Sequence, residues 1–154
     1  MLQLRPGQLA ELEARMWDEV RHRITVTVRK HPDTNTAGWT TVRLKACVEE
    51  GVVRARLLGL MTEEAIEAFV VSMFSISPHF HRVPQARDAL AETAFAELER
   101  VRRAREAATS DPDALRRFGP ASPPWAEHAR EGLGGEKRYW SRSSEGSEER
   151  NGST

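Results

Sequence analysis

The first thirty residues carry apolar side chains at steps of three and four, which is the spacing of one helical face. This stripe consists of Leu9, Leu12, Met16, Val20, Ile24 and Val28. Pro6 suits the first turn of a helix, and a basic cluster followed by Pro32 marks the end. Residues 24–28 also alternate as a strand would, but the stripe keeps its helical phase through them. We therefore predict a helix over residues 6–31.

Two further helices are predicted before residue 78. The second runs from Thr40 to Leu58, and Gly59 is placed to end it in left-handed backbone. Its apolar face consists of Leu44, Cys47, Val48, Gly51, Val52 and Ala55. Gly51 disfavours a helix, so its presence there predicts a close helix crossing. The third helix begins after Thr62, a good N-cap, with Met61 and Ile66 placed as a hydrophobic staple.

The third helix has the richest apolar face of the chain, and Pro78 ends it. Its apolar residues are Ile66, Phe69, Val70, Met73 and Phe74. The segment 75–85 is predicted to be an ordered loop, since Ile76, Phe80 and Val83 give it side chains to bury.

A single fourth helix is predicted over residues 85–108, and its apolar stripe consists of Leu90, Ala94, Leu98 and Val101. Asp111 followed by Pro112 opens a short last helix that closes at Gly119. Residues 1–119 are thus expected to form an all-α domain, a small bundle of four main helices plus one short helix.

Residues 120–154 are rich in proline, glycine, serine and glutamate and are expected to form a disordered C-terminal tail. Trp125, Tyr139 and Trp140 are its aromatic exceptions. Aromatic residues in a polar tail can serve as docking anchors, although chance occurrence is the simpler explanation.

The charge of the chain changes this picture little. Lys plus Arg and Asp plus Glu are equal at 23 each, so the net charge gives no pull towards nucleic acid or anionic lipid. The single cysteine rules out an internal disulfide and favours a reducing, cytoplasmic location. No apolar run approaches the roughly 20 residues that span a membrane.

Candidate chemistry is sparse. His79 and His81 can both reach one metal ion, but zinc needs three or four ligands, so we favour an interpretation in which they flank a core-anchoring Phe80. Cys47 lies on an apolar helical face, where a thiol packs as a small hydrophobic group. Adjacent Glu63 and Glu64 suit a helix start better than acid–base chemistry.

A basic cluster late in the fourth helix is the only candidate for phosphate contacts. Its members are Arg100, Arg102, Arg103 and Arg105, and glutamates are interleaved with them. A solvated helical surface explains this pattern better than nucleic-acid binding does. Phosphate-binding glycine loops and nucleophile elbows do not occur in the sequence. We therefore expect no catalytic, cofactor or metal site, and we do not expect an enzyme.

The stretch from Gly51 to Phe80 resembles a family of small proteins encoded beside polymorphic-toxin and type VI secretion genes. The shared pattern is a glycine with Arg-Ala, a glycine–aliphatic break, an acidic helix start, a Met-Phe helix end and a Pro-x-Phe loop. The opening residues Leu4, Arg5, Gln8 and Leu9 fit the pattern too. The family tends to carry acidic residues around the loop phenylalanine, where this chain has histidines. The resemblance implies an accessory protein of a secreted effector.

The leading hypothesis is a non-enzymatic protein-binding module, an adaptor or chaperone whose partner is a secreted effector or a secretion-spike component. An immunity protein that neutralises a toxin and a small nucleic-acid-binding regulator are the alternatives. No small-molecule substrate or membrane contact is expected. The residues proposed to touch the partner are Met73, Phe74, Phe80, Trp125 and Trp140.

Overall fold

A computed structural model describes residue 3, residues 5–34 and residues 36–118, and all regular elements within these ranges are helical. The α-helices are α1 (Pro6–Lys30), α2 (Thr41–Leu57), α3 (Glu63–Ser75), α4 (Pro84–Ala91), α5 (Glu97–Thr109) and α6 (Pro112–Phe118). A 3₁₀ turn, Phe80–Arg82, lies between α3 and α4. The predicted all-α class is confirmed for this part of the chain. The predicted tail over residues 120–154 lies outside it.

The first helix is helical through its strand-like segment. Ile24 and Val28 are buried in the core, and the His31 backbone N–H closes the last turn on the Thr27 carbonyl at 2.9 Å. Helix packing therefore outweighs the β-propensity of residues 24–28, as the unbroken stripe predicts.

Only the second half of α1 joins the core. Every residue from 6 to 16 is exposed, whereas the stripe from Val20 onwards is buried. Helix α2 runs antiparallel to this second half. Arg21 Nε lies 3.8 Å from Glu49 Oε1, and the Arg56 guanidinium stacks 4.3 Å from the centroid of Trp17. Since α2 ends at Leu57, the first turns of α1 extend beyond it, and the predicted apolar stripe is buried only in its second half.

Helix α2 ends as the sequence predicts. Gly59 has φ of +89°, a left-handed conformation that L-residues with a side chain rarely adopt. The Leu60 N–H bonds to the Ala55 carbonyl at 3.0 Å, and the Gly59 N–H bonds to the Arg56 carbonyl at 3.0 Å. This pair of bonds is a Schellman motif, and the fully buried Leu60 supplies its apolar contact.

Gly51 marks the predicted close crossing, which is that of α2 over α3. A Cβ atom at Gly51 would lie 3.0 Å from Val70 Cγ2 and 3.2 Å from Met73 Sδ. These distances are tighter than ordinary packing, so neighbouring side chains would have to move to admit even a methyl group, which gives the glycine a packing reason.

Helix α3 is the central element, in contact with α1, α2 and α5. The Thr62 hydroxyl caps it by accepting the Ala65 N–H at 3.4 Å, and Glu63 and Glu64 occupy the first turn. Its buried residues are Ala65, Ile66, Phe69, Val70, Val71, Ser72 and Met73. Of the predicted staple pair, Ile66 is buried and Met61 is largely exposed.

The prediction of one helix over residues 85–108 is wrong, because a turn at residues 92–96 divides it into α4 and α5. Two arginine side chains of α5 contact the end of α4 and the turn itself. Arg100 Nη1 donates to the Leu90 carbonyl at 3.1 Å, and the Arg103 guanidinium stacks 3.7 Å from the ring centroid of Phe95. The turn lets α4 and α5 fold back on each other, so Leu90 and Val101 both reach the core while Leu98 stays half exposed.

Gly51→Leu is expected to lower the free energy of unfolding by about 1–3 kcal/mol, since α2 and α3 must separate to admit the side chain. Gly7→Leu is the matched control, because nothing lies within 4 Å of a Cβ atom at Gly7. Urea denaturation of both variants measures the difference, and equal stabilities would contradict the close crossing.

Amide hydrogen exchange is expected to divide α1 in two. Residues 6–16 bury no side chain and rely on local helix propensity, so they should exchange by local opening. The amides of residues 20–28 should exchange only when the packed core itself opens. Equal protection factors along the whole helix would show that its first half has a partner.

Candidate functional site

The loop after α3 is anchored by Phe80, as the sequence predicts. Phe80 is fully buried, and its ring centroid lies 5.3 Å from that of Phe69 on α3. Val83 is also fully buried and Ile76 packs at the edge of the core. His79 and His81 flank the anchor with ring centroids 6.0 Å apart, and the His81 ring also lies 5.5 Å from that of Phe69.

Arg54 of α2 organises a polar cluster at this loop. Its Nη1 donates to the Pro78 carbonyl at 3.0 Å and lies 3.3 Å from His79 Nδ1. Its Nη2 donates to Glu50 Oε1 at 2.9 Å, one helical turn earlier. The guanidinium therefore ties the loop to α2.

Both histidines are held in the neutral form. Burial, and then the positive charge of Arg54, lower the pKa of His79 and of His81 from 6.5 to about 4. His79 is only 3% exposed, and its Nε2 atom has no hydrogen-bond partner among the described residues. Neutral imidazoles can bind metals, but the described ranges contain no group of three or more His, Cys, Asp or Glu side chains placed to hold an ion. The cluster is therefore best explained as a polar clamp on the loop.

The other residues considered for catalysis, Cys47, Glu63 and Glu64, lie in positions that packing or the start of a helix explains. Cys47 is fully buried on the core face of α2, in agreement with the packing interpretation. Glu63 pairs with Arg23 of α1 at 2.7 Å, so it joins α3 to α1. Glu64 is exposed in the first turn of α3.

Two members of the basic cluster form ion pairs within α5 itself. Arg102 bonds to Glu99 at 2.6 Å and to Glu106 at 2.7 Å, and Arg103 bonds to the same Glu99 at 3.2 Å. The hydrogen bonds from Arg102 lower the pKa of Glu99 to about 2. Because Arg102 and Arg103 already face carboxylates and Arg100 donates to the Leu90 carbonyl, the geometry favours a solvated helical surface over a phosphate-binding one.

The residues predicted to contact a partner differ in how exposed they are. Met73 is 1% exposed and Phe80 is 0% exposed, so both lie in the core, out of reach of a partner in this conformation. Phe74 is half buried against Trp39, with ring centroids 5.6 Å apart. Trp125 and Trp140 lie outside the described residues.

An exposed apolar surface lies instead on the first half of α1. Leu9, Leu12 and Met16 are 55%, 48% and 45% exposed. We call these three residues the α1 stripe. Sequence periodicity identifies them but cannot tell whether a partner helix is long enough to cover them. The length difference between α1, 25 residues, and α2, 17 residues, was the available signal.

Acidic side chains border the α1 stripe. At about 100° per residue, Glu13 and Glu19 fall on its two sides, and Glu11 falls on the opposite face of the helix. None of these three carboxylates forms an ion pair within the described part of the chain. The last turn of α2 lies beside the stripe's inner end, where Arg56 stacks on Trp17 and Leu57 is 82% exposed.

Two open cavities lie elsewhere on the surface. One, of about 290 Å³, lies between α1 and α2 and is lined by Asp18, Arg21, His22, Thr25, Lys45 and Glu49. The other, of about 460 Å³, lies between α4 and α6 and is lined by Pro84, Gln85, Asp111, Asp113, Ala114, Arg117 and Phe118. Both mix charges of the two signs and bring together no recognisable reactive set.

Comparison with known protein families, curated proteins and solved structures gives no match for this chain. Among the described helices, none is both long enough and apolar enough to cross a membrane.

The two clamp histidines should make stability depend on pH. Because the folded state lowers their pKa to about 4, the unfolded chain binds their protons more readily, and stability is lost as pH falls from 6.5 towards 4. We expect the free energy of unfolding to drop by more than about 1 kcal/mol between pH 7 and pH 5.

Replacing both groups, in H79Q/H81Q, should flatten this dependence whatever it does to stability at pH 7. His22→Gln, at an exposed position on α1, is the control and should retain the wild-type slope. Parallel slopes for the double variant and the wild type in urea denaturation would contradict the clamp.

Proposed function

We propose that this protein is a non-enzymatic accessory module that binds a partner protein through the α1 stripe. The observation that carries the proposal is the extension of α1 beyond its neighbours with one apolar face half exposed. Leu9, Leu12 and Met16 stand at positions i, i+3 and i+7, the anchor spacing of a helix that packs against a partner. An exposed apolar face with a polar border is typical of protein interaction sites.

The size of the surface indicates how the partner must bind. Covering the exposed halves of three apolar side chains contributes on the order of 1 kcal/mol each. Association of two free molecules costs several times as much. A stable complex therefore needs more apolar contact, and Leu57, which follows Arg56 beside the stripe, is exposed, as are Met61 and Leu98.

Met61 and Leu98 lie close together, because the carboxylate of Glu97 accepts the backbone N–H groups of Met61 and Thr62. The partner expected from this surface is an amphipathic helix with an apolar face and basic residues beside it, opposite Glu13 and Glu19. A role as adaptor or chaperone of a secreted effector agrees with the family resemblance of residues 51–80.

Affinity capture of the tagged full chain from its native cells, followed by mass spectrometry, tests this proposal. The wild type should recover one protein near a one-to-one ratio. The variant L9S/L12S/M16S should recover at least tenfold less of that protein. V42S/V53S is the matched control, because Val42 and Val53 are exposed apolar residues of α2, and it should retain the partner.

Circular dichroism should show that all three proteins are folded, since every substituted side chain is exposed. Capture that survives the α1 substitutions would refute the proposed surface. If the recovered protein is a toxin, survival of cells lacking this gene separates the roles, because an adaptor is dispensable for self-protection and an immunity protein is not.

A further inference from the structure

The first turns of α1 carry more acidic than basic side chains, although Arg5 precedes them and Arg56 of α2 lies at the inner end of the stripe. Residues 6–19 include four acidic residues, Glu11, Glu13, Asp18 and Glu19, against the single basic Arg15. Of the acidic residues, only Asp18 forms an ion pair within the described ranges, with Arg21 at 3.0 Å. The surface is therefore complementary to a segment that is both apolar and basic.

One segment of the same chain has that composition. Residues 137–142 read Lys-Arg-Tyr-Trp-Ser-Arg, with three basic residues, no acidic residue and two adjacent aromatic side chains. The parts on either side, residues 119–136 and 143–154, each carry three acidic residues and one basic residue. Three of the five basic residues and two of the three aromatic residues beyond α6 thus lie in this segment.

The connection is long enough for this segment to reach α1. Eighteen residues lie between Phe118 and Lys137 and span at most roughly 60 Å when extended. A domain of this size has a radius of gyration of only about 13 Å. A tether of this kind keeps the segment at an effective concentration of about a millimolar, so a small surface with weak contacts suffices to hold it.

From these observations we infer that residues 137–142 dock on the α1 stripe of their own chain and occupy it until a partner displaces them. Tyr139 and Trp140 cover the stripe, and the neighbouring cations lie beside Glu13 and Glu19. The inference rests on the proposed function in taking the stripe as a binding surface, and it adds that the chain competes with its partner for that surface.

Paramagnetic relaxation enhancement on the full chain tests the contact without any partner. A spin label at residue 144, in the variant S144C, reports from just beyond the segment, and the native Cys47 is fully buried. At low ionic strength the label should broaden the amide signals of residues 9–16 selectively, by at least twofold over those of α5. Broadening that is uniform over the surface would overturn the inference.

Charge exchange distinguishes a specific contact from chance proximity. E13K/E19K should abolish the broadening, and K137E/R138E/R142E added to it should restore it. Glu11→Lys is the matched control, because it changes the same charge on the opposite face of α1 and should leave the broadening in place. Broadening that is indifferent to E13K/E19K counts against the inference.

A mixture of spin-labelled protein and unlabelled, isotope-enriched protein identifies the source of the segment. Broadening in the mixture at dilute concentration would show that the segment binds a second copy and would overturn docking within one chain. If the tail contact fails while L9S/L12S/M16S still loses its partner, only this inference falls. If the contact is observed while partner capture survives those substitutions, the proposed function falls instead.

Discussion

The burial of α3 is the constraint on which the rest of the fold depends. Seven of its 13 residues are buried, so neighbours must cover it on several sides. Helix α2 comes close enough only because Gly51 lacks a side chain, and α1 supplies a second wall through Val20, Ile24 and Val28. Phe80 closes the cluster from the loop side by packing on Phe69. The polar clamp around Arg54 serves the same packing, because it holds in place the loop that carries Phe80.

This arrangement also explains the exposed surface. Helix α3 needs a wall only as long as itself, and α2 ends at a glycine stop that fixes its length. Helix α1 is longer than either, so its first half has no neighbour to pack on among the described residues. Packing among the described residues does not account for the apolar character of the stripe, which is the observation behind the proposed binding role.

The sequence predicted correctly those features that a single residue and its chain neighbours determine, such as helix ends. Thr62 as N-cap, Gly59 as helix stop and Gly51 as a crossing point are all confirmed, because capping, positive φ and the space for a side chain each depend on a single residue type. The break between α4 and α5 could not be predicted this way, since no breaker residue marks it. It depends on contacts of Arg100 and Glu97 made after the chain has folded. Which apolar stripes are covered also depends on the relative lengths of packed helices.

The burial of Cys47 gives the molecule one further property. As the only thiol of the chain, at zero exposure between α2 and the core, it can meet an oxidant or an alkylating reagent only when the core opens. Chemical damage at this position is thus confined to the small opened fraction of molecules. Once modified, the side chain no longer fits the packed interior, so the opened molecule cannot close again. The thiol thus converts a transient loss of structure into a lasting one.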